Sequence, residues 1–333
     1  MLLFAAVAAV ACSQQQGWET AEAVVAPGER LSLAENYVRA YTDLVADITG
    51  DFKGVSIERG GLGVYQGAVL KITGDSVFVS EYCWYEETEV TQVIAREAFA
   101  HGLSLGDKVK VSLTTEKHNI IGHLDIRSGR DHLSRDIFWR GGGIPAIVNE
   151  GDSPLSVRLS FRRRDASQPI WFLADSYFSE YDPERWPYYM VSEGFAEGWM
   201  ADHLPGGGSA QFLRCFKEDL KYGTPKIAVW MLGMNDPDRD GMLNEDWYSS
   251  TEEFLQICSD KGIIPVLVTV PDVPARCHSI KTEWVRNSGV RYADWAAAVE
   301  GMDWLSGDEV HPSEDGAKIL WETLRNALPE LKR

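Results

Sequence analysis

The pattern of hydrophobic and polar positions changes twice along the chain. The first periodic segment begins at Ser32 and has helical spacing. Ser32 and Glu35 have the spacing of a capping box, and Leu33, Tyr37 and Leu44 share one face. After residue 50, short runs rich in Val, Ile, Tyr and Phe alternate with turn-forming residues. The runs are 63–72, 76–82, 108–114, 119–126 and 155–161. Such runs predict an antiparallel β domain.

From residue 168 onward, apolar runs alternate with amphipathic segments. The runs suited to buried strands are 170–174, 227–232, 263–270 and 290–295. The segments with helical spacing are 209–222, 251–261, 281–286 and 313–328. Strands and helices that alternate at this spacing predict an α/β domain, a parallel sheet with helices on both faces.

A chain of 333 residues is long enough for about two domains. We place the boundary near the basic run 162–164, which we interpret as a solvated strand end. The predicted order is a signal segment over 1–12, a linker over 13–30, a sandwich-like β domain over 31–165 and the α/β domain over 166–333.

Charge narrows the range of partners. The chain has 32 basic and 50 acidic residues, a formal net charge of −18. Nucleic-acid binding draws on clustered Lys and Arg, so a nucleic-acid partner is not expected. Residues 1–165 carry a net charge of −5 and residues 166–333 a net charge of −13. The second domain should therefore disfavour polyanionic substrates.

The first eleven residues are all Met, Leu, Phe, Ala or Val, and Cys12 follows them. This run is too short for a membrane-spanning helix, which needs about 20 residues. The sequence Ala9-Val10-Ala11-Cys12 resembles the end of a bacterial lipoprotein signal, although no Lys or Arg precedes the run. We expect export to the cell envelope with lipid attached at Cys12. The alternative is a buried N-terminal segment with an ordinary cysteine.

Four further cysteines, Cys83, Cys215, Cys258 and Cys277, show no short Cys-x-x-Cys spacing. Cys258 and Cys277 flank a predicted strand at opposite ends, farther apart than a disulfide tolerates. No disulfide framework is expected.

Residues of catalytic type follow the predicted strands. Ligands of a doubly wound sheet bind beyond the carboxyl ends of its strands. Asp175-Ser176 follows the first run, and 233–236, Gly-Met-Asn-Asp, follows the third. The glycine-rich stretch 205–209 precedes a predicted helix, and 308–312 reads Asp-Glu-Val-His-Pro. A serine, an imidazole base, a carboxylate to orient it and donors for an oxyanion are the components of acyl transfer.

These four blocks resemble those of the SGNH, or GDSL-type, hydrolase superfamily, and the resemblance covers about residues 168–330. It implies a flavodoxin-like α/β/α fold. It also implies that Ser176 is the nucleophile, His311 the base and Asp308 its orienting acid. The oxyanion hole would comprise the Ser176 backbone amide, Gly207 and Asn235. Three consecutive glycines leave Gly208 as an alternative to Gly207.

The sequence departs from the family pattern at one position, and it contains two Gly-Asp-Ser triplets outside the four blocks. Ala174 stands where the family's first block usually has glycine. Literal Gly-Asp-Ser triplets occur at 74–76 and 151–153, and we interpret both as hairpin turns. The Gly-x-Ser-x-Gly elbow of α/β-hydrolases is absent, since the nearest match, 207–211, ends in Gln. We interpret Ser209 as a helix N-cap.

Two further patterns bear on ligands. Asp236, Asp238, Asp240 and Gly241 match part of a calcium-binding loop, but Trp247 stands where a bidentate Glu is required. An acidic surface loop is therefore the favoured interpretation.

Nine of the 12 tryptophans follow residue 166. Aromatic rings beside a cleft would suit sugar rings. Core packing is the commoner use of such rings and remains the favoured interpretation, with sugar binding as the alternative, for Trp186, Trp199, Trp230, Trp247 and Trp304, and for Tyr188 and Tyr189.

The resemblance predicts an esterase that needs no metal or cofactor. The favoured substrate is an acylated, most simply acetylated, carbohydrate or another small ester. A lipase, a thioesterase or a glycan acyltransferase is the alternative among enzymes. A non-catalytic glycan-binding surface lipoprotein is the alternative outside them. Beyond the lipid anchor, no membrane partner is expected.

Overall fold

The structure is a computed structural model, and it describes residues 18–32, 42–60, 66–73, 76–85, 88–98, 108–115, 121–129, 131–138, 144–163, 165–179, 182–203, 206–239 and 241–333. The chain divides into two compact units, Met1–Asp165 and Ala166–Arg333.

The described part of the first unit consists of strands that pair antiparallel. They are β1 (Trp18–Val25), β2 (Arg30–Ser32), β3 (Thr42–Thr49), β4 (Gly54–Gly60), β5 (Gln66–Thr73), β6 (Ser76–Tyr85), β7 (Thr88–Ala98), β8 (Lys108–Thr115), β9 (Ile121–Ser128), β10 (Asp131–Phe138), β11 (Ile144–Asn149) and β12 (Leu155–Arg163). Among the described residues they form two sheets of six, in the orders β1-β12-β3-β8-β9-β10 and β2-β11-β4-β5-β6-β7.

The two sheets of the first unit share one hydrophobic core. On β3, Leu44, Ala46 and Ile48 are buried in it, and Val55 and Ile57 of β4 enter it from the other sheet. Burial of every second residue is typical of a strand with one face in a core. The predicted antiparallel β-sandwich is confirmed.

Two expectations for this unit are wrong. Residues 18–25, expected in a linker, form β1, because apolar and polar residues alternate there and the whole segment pairs with β12. Ser32 and Leu44, expected in a helix, lie in β2 and β3. The sequence around Leu44 fits both periods, and pairing of β3 with β8 and β12 selects the strand. Residues 33–41 of the expected helix lie outside the described residues.

The two Gly-Asp-Ser triplets lie in different kinds of connection. The triplet 74–76 joins the paired strands β5 and β6, and its residues 74 and 75 lie outside the described residues. The triplet 151–153 joins β11 to β12, which belong to different sheets, so it is not a hairpin turn. There the side chain of Asn149 accepts a hydrogen bond from Gly151 N at 2.9 Å and stabilises the connection.

The second unit is a parallel sheet covered by helices. After a 3-10 turn at Asp165–Ser167, the strands are β13 (Ile170–Ala174), β14 (Trp199–His203), β15 (Ile227–Met231), β16 (Ile264–Val268) and β17 (Tyr292–Ala293). The helices are α1 (Trp186–Ser192), α2 (Ser209–Asp219), α3 (Glu245–Lys261), α4 (Ser279–Asn287), α5 (Trp295–Ala298) and α6 (Glu314–Ala327). The strand order β14-β13-β15-β16-β17 is that of a doubly wound, flavodoxin-like sheet, as expected.

Successive residues of β13 contact helices on opposite faces of the sheet. Trp171 packs edge-on against Phe216 of α2, with ring centroids 6.1 Å apart. Phe172 packs against Trp186 of α1 at 5.3 Å. Every residue of β13 is buried, which requires cover on both faces. The apolar run at 170–174 therefore forms the centre of the domain.

Helix termini follow the expected local chemistry. Asn244 caps α3 by accepting a hydrogen bond from Trp247 N at 2.9 Å, and Gly262 ends that helix in a left-handed conformation at φ +68°. Ser313 caps α6 through Gly316 N. The pattern did not indicate β14 or α1, and the run 290–295 contains a strand of only two residues followed by α5.

Candidate active site

The nucleophile candidate and the base candidate are hydrogen-bonded to each other. Ser176 follows β13, and its Oγ lies 2.7 Å from Nε2 of His311. Both side chains are partly exposed, so a substrate can reach them. Arg185 Nε donates to the carbonyl oxygen of Ser176 at 2.9 Å and fixes the backbone beneath the hydroxyl.

Asp308 holds the other side of the imidazole. Its Oδ2 lies 2.6 Å from His311 Nδ1, while Oδ1 accepts from the backbone N–H groups of Val310 and His311 and from Ser306 Oγ. Partial desolvation acts to raise the pKa of Asp308, but these hydrogen bonds outweigh it and hold the pKa well below its usual range. An ionised carboxylate at this position favours the tautomer with its proton on Nδ1, which leaves Nε2 as the acceptor facing Ser176.

A tight loop carries these two residues. Ser306 N donates to the carbonyl oxygen of His311 at 2.8 Å, and Glu309 between them adopts φ +58°. A positive φ is uncommon for a residue other than glycine, so the loop is under local backbone strain. The spacing of three between Asp308 and His311 closes the carboxylate onto the ring within a single turn.

Asn235 and the glycine loop also come together. Asn235 Nδ2 donates to the carbonyl oxygen of Gly207 at 3.1 Å and to Asp175 Oδ2 at 3.3 Å. The amide of Asn235 therefore lies between the residue that precedes Ser176 and the glycine loop after β14. All of the predicted site residues within the described part of the chain meet at this edge of the sheet.

Gly208 and Ser209 are fixed by Asp236. Ser209 N and Oγ both donate to Asp236 Oδ2, at 3.0 and 2.7 Å. A β-carbon on Gly208 would lie 2.7 Å from Asp236 Oδ1, so only glycine fits without a shift of that carboxylate. The N-cap of α2 is Gly208 and not Ser209, because the Ser209 hydroxyl is directed to Asp236.

Asp175 is buried beside the nucleophile. Its Oδ1 accepts from Tyr177 N at 3.1 Å, and its Oδ2 accepts from Asn235. Burial raises the pKa of Asp175 to about 7, and the nearby Asp236 carboxylate adds to the shift. Near neutral pH this carboxyl group is thus close to the midpoint of its titration.

A buried ammonium group lies under the Asn235 loop. Lys281 Nζ donates to the carbonyl oxygens of Gly233 and Asp236 at 3.2 and 2.6 Å and lies 3.6 Å from Asp238 Oδ1. The Asp238 carboxylate, considered above as part of a calcium-like pattern, thus faces an internal cation. Residue 240 of that pattern lies outside the described residues.

Three basic residues of this site were not found from the sequence. Arg185, Arg276 and Lys281 contact backbone carbonyl groups of the strand-end loops. None of them follows a predicted strand or belongs to a four-block motif. Only the fold brings them to the site.

The five tryptophans for which sugar binding was the alternative are buried, as the favoured core-packing interpretation predicts. Trp186, Trp199, Trp230, Trp247 and Trp304 are each at most 6% exposed. Tyr188, by contrast, is 38% exposed on α1. Large rings at these positions fill the space between sheet and helices rather than a cleft.

Metal sites, membrane spans and disulfides concern only the part of the chain that the structure describes. There, no three His, Cys, Asp or Glu side chains are arranged so that they could hold a metal ion. No helix in the same residues has both the length and the apolar character of a membrane span. Cys215, Cys258 and Cys277 are free thiols, and the side chain of Cys83 is not among those described.

Comparison with known proteins gives fold-level likeness only. No protein-family model matches the sequence, and no curated protein matches it. Among solved structures, a lipase/acylhydrolase from Enterococcus faecalis is 20% identical, covering 50% of this chain and 97% of its own, with a TM-score of 0.40. A GDSL-like lipase from Bacteroides thetaiotaomicron is 17% identical, covering 48% and 87%, with a TM-score of 0.39. A carbohydrate esterase of family 3 from Talaromyces cellulolyticus is 14% identical, covering 49% and 96%, with a TM-score of 0.40. Because these TM-scores lie below 0.5, a function for this chain must rest on the geometry of its own site.

Proposed function

We propose that this chain is a serine hydrolase that cleaves esters. The observation that carries the proposal is the unbroken hydrogen-bonded line from Ser176 through His311 to Asp308, with contacts of 2.7 and 2.6 Å. A hydroxyl, an imidazole and a carboxylate in this order are the components that activate a serine nucleophile. The four-block pattern of the sequence supports the same roles.

In the proposed reaction, Ser176 Oγ attacks the acyl carbonyl carbon while His311 Nε2 takes the hydroxyl proton. Asp308 stabilises the imidazolium that forms. When the tetrahedral intermediate collapses, Nε2 returns the proton to the departing alcohol and an acyl-serine remains. Water, deprotonated by the same nitrogen, then releases the acid and restores the serine hydroxyl.

The negative charge of the tetrahedral intermediate would be met by Asn235 Nδ2 and by the backbone amides of Ser176 and Gly207. The Asn235 amide reaches the oxyanion by giving up its longer contact, the 3.3 Å bond to Asp175. The raised pKa of Asp175 supports this exchange, because a protonated carboxyl accepts more weakly than a carboxylate.

For the substrate, we propose a short acyl group, most simply acetyl, on a carbohydrate. Support comes from the four-block resemblance and from the net charge of −13 on residues 166–333, which disfavours polyanionic esters. Because the five tryptophans named above are buried, we assign ring stacking on a sugar to Tyr188 and Tyr189. They lie at the start of α1, three and four residues beyond Arg185, which bonds the Ser176 carbonyl.

We also propose export and lipid attachment at Cys12, supported by the apolar run before it and by the small residues Ala9 and Ala11. Fractionation of the producing cells tests this. Wild-type protein should remain with membranes, and Cys12→Ser should move to the soluble fraction. Equal distribution of the two would refute the anchor.

Labelling with a fluorophosphonate tests the catalytic proposal. Wild-type protein should be labelled, Ser176→Ala should not, and the matched control Ser179→Ala should label like wild type. His311→Ala and Asp308→Asn should label at rates lowered by roughly 10³-fold or more. An unlabelled wild type, or equal labelling of Ser176→Ala, would overturn the assignment.

Substrate preference needs a separate measurement. Acetate release from acetylated oligosaccharides should exceed release from long-chain chromogenic esters at equal concentration. Tyr188→Ala should raise KM for the oligosaccharide and leave KM for a small acetyl ester unchanged. A preference for long acyl chains would contradict the carbohydrate assignment while leaving ester hydrolysis intact.

A further inference from the structure

Arg276 contacts the Asn235 side chain from outside the four motif blocks. Its Nη1 donates to the carbonyl oxygen of Met234 at 3.0 Å and to Asn235 Oδ1 at 3.2 Å. A guanidinium group has donors and no acceptor. The Asn235 atom that faces it must therefore be the oxygen, and the amide nitrogen must point the other way.

On its nitrogen side, the Asn235 amide faces acceptors. The carbonyl oxygen of Gly207 cannot donate, and Asp175 Oδ2 accepts from the same nitrogen whenever it is ionised. Arg276 and the Gly207 carbonyl thus require the same orientation of the amide at any protonation state of Asp175. A rotation by 180° would place Oδ1 against the Gly207 carbonyl and the NH2 group against a cation, so both contacts would become repulsive.

Arg276 is itself held in a closed turn. Arg276 N donates to Val273 O at 2.9 Å, and Val273 N donates to Arg276 O at 3.1 Å. The next residue, Cys277, accepts from Asp238 N at 2.9 Å, which ties this turn to the loop that carries Asn235. The guanidinium is half-buried and therefore loses little further freedom when it binds the amide.

We infer that Arg276 is a positioning residue for the oxyanion hole, acting through Asn235. It fixes which end of the amide faces the reacting carbonyl and, through its positive charge on Oδ1, makes the Nδ2 hydrogens better donors. This inference rests on the proposed ester hydrolysis for its kinetic consequence, whereas the orientation of the amide can be measured independently.

The kinetic test uses Arg276→Met, Arg276→Lys and the exposed control Arg214→Met, each alone and combined with Asn235→Ala. Loss of one oxyanion donor lowers kcat by about 10²- to 10³-fold, and loss of its support should lower kcat by about tenfold with KM nearly unchanged. Lysine keeps a charge and a donor and should restore part of kcat. In the Asn235→Ala background, Arg276→Met should change kcat less than twofold, because the residue it positions is gone.

Equal losses from Arg276→Met in both backgrounds, or no loss in the wild-type background, would overturn the inference. A second readout does not depend on turnover. In protein labelled with ¹⁵N-asparagine, the side-chain amide signals of Asn235, assigned by their loss in Asn235→Asp, should shift in Arg276→Met and remain in Arg276→Lys. If wild type cleaves no ester, the proposed function fails, but the amide signals still test whether Arg276 orients Asn235. Unchanged signals in Arg276→Met would refute that positioning role.

Discussion

The hydroxyl of Tyr177 donates to the carbonyl oxygen of Val310 at 2.5 Å. Tyr177 follows Ser176 in the chain and Val310 precedes His311, so this bond joins the two loops at the point where nucleophile and base meet. The Tyr177 ring also stacks on Trp295, with centroids 6.2 Å apart, and lies 5.7 Å from the His311 ring. Burial raises the pKa of Tyr177 well above its ordinary value, so its hydroxyl is protonated and can donate near neutral pH.

Tyr177→Phe should lower kcat by about three- to tenfold, because the loop that carries His311 loses a cross-link while the aromatic packing is kept. The free energy of unfolding should fall by about 1 kcal/mol, the usual net worth of one hydrogen bond. Steady-state kinetics and urea unfolding measure the two effects. The control is Tyr248→Phe on the exposed side of α3, which should change neither. An unaltered kcat in Tyr177→Phe would show that the cross-link does not position the base.

The sequence was sufficient to predict the four site blocks because a general rule places them. Ser176 and Asn235 follow apolar runs that form β13 and β15, and parallel strands bring their carboxyl ends to one edge. His311 and Asp308 could be paired because they are only three residues apart. For these residues, local pattern and tertiary position are linked by the strand itself.

The supporting residues could not be predicted in this way. Arg276 is 41 residues from Asn235, and Lys281 is 48 from Gly233, and no periodicity relates either pair. For a related reason, the sequence left a sugar-binding alternative open for the tryptophans: a large ring looks the same in sequence whether it lines a cleft or fills a core. The sequence did not predict strand β1, because Val25 is the one large residue that it buries in the core and Ala23, which packs beside it, is too small to give a strong hydrophobic signal.

Gly208→Ala should damage the site through a single collision. The backbone at Gly208 has φ −91°, which any residue adopts, so strain plays no part. The added β-carbon would lie 2.7 Å from Asp236 Oδ1 and push that carboxylate away from Ser209. We expect a loss of about 1–3 kcal/mol in stability and at least a tenfold fall in kcat.

The matched control for this substitution is Gly307→Ala. A β-carbon at Gly307 would meet nothing within 4 Å, although this glycine directly precedes Asp308. It should leave stability and kcat close to wild type. If Gly208→Ala has the same stability and kcat as Gly307→Ala, the glycine loop can shift to accept a β-carbon. The close approach of Gly208 to Asp236 is then not needed for activity.

Lys281→Met should be strongly destabilising because it leaves Asp238 as a buried, uncompensated charge. Both side chains are almost fully buried, and Lys281 also binds two carbonyl groups of the Asn235 loop. Removing one partner of such a pair costs about 3–5 kcal/mol. Lys281→Met combined with Asp238→Asn should recover part of this loss, since the carboxylate charge is then absent as well.

Urea unfolding followed by tryptophan fluorescence measures these changes, because nine of the 12 tryptophans lie in residues 166–333. The exposed ion pair of Lys318 with Asp315 supplies the control. Lys318→Met should leave stability close to that of wild type, because an exposed ion pair contributes little. If Lys281→Met/Asp238→Asn were less stable than Lys281→Met alone, the loss in Lys281→Met would not come from an unpaired buried charge on Asp238.

His278 should make the second unit sensitive to acid. Its ring is fully buried, and Lys281 Nζ lies 3.1 Å from its Nδ1. Burial, together with the charges of Lys281 and Arg276, lowers the pKa of His278 to about 3. The unfolded chain, with an ordinary pKa near 6.5, takes up a proton first as the pH falls. The stability contributed by the neutral ring is therefore complete above about pH 6.5 and is lost progressively toward pH 3.

Between pH 7.5 and 5.5, this group alone should remove about 1.4 kcal/mol of stability. His278→Asn keeps an acceptor for Lys281 but cannot titrate, so its stability should fall less over the same interval, even though its stability at pH 7.5 is lower. The control His132→Asn changes an exposed histidine of the first unit and should leave the slope of the tryptophan-detected transition as in wild type. Because the comparison is between slopes, packing defects in His278→Asn cancel. Equal slopes in wild type and His278→Asn would show that His278 is not held neutral by its surroundings.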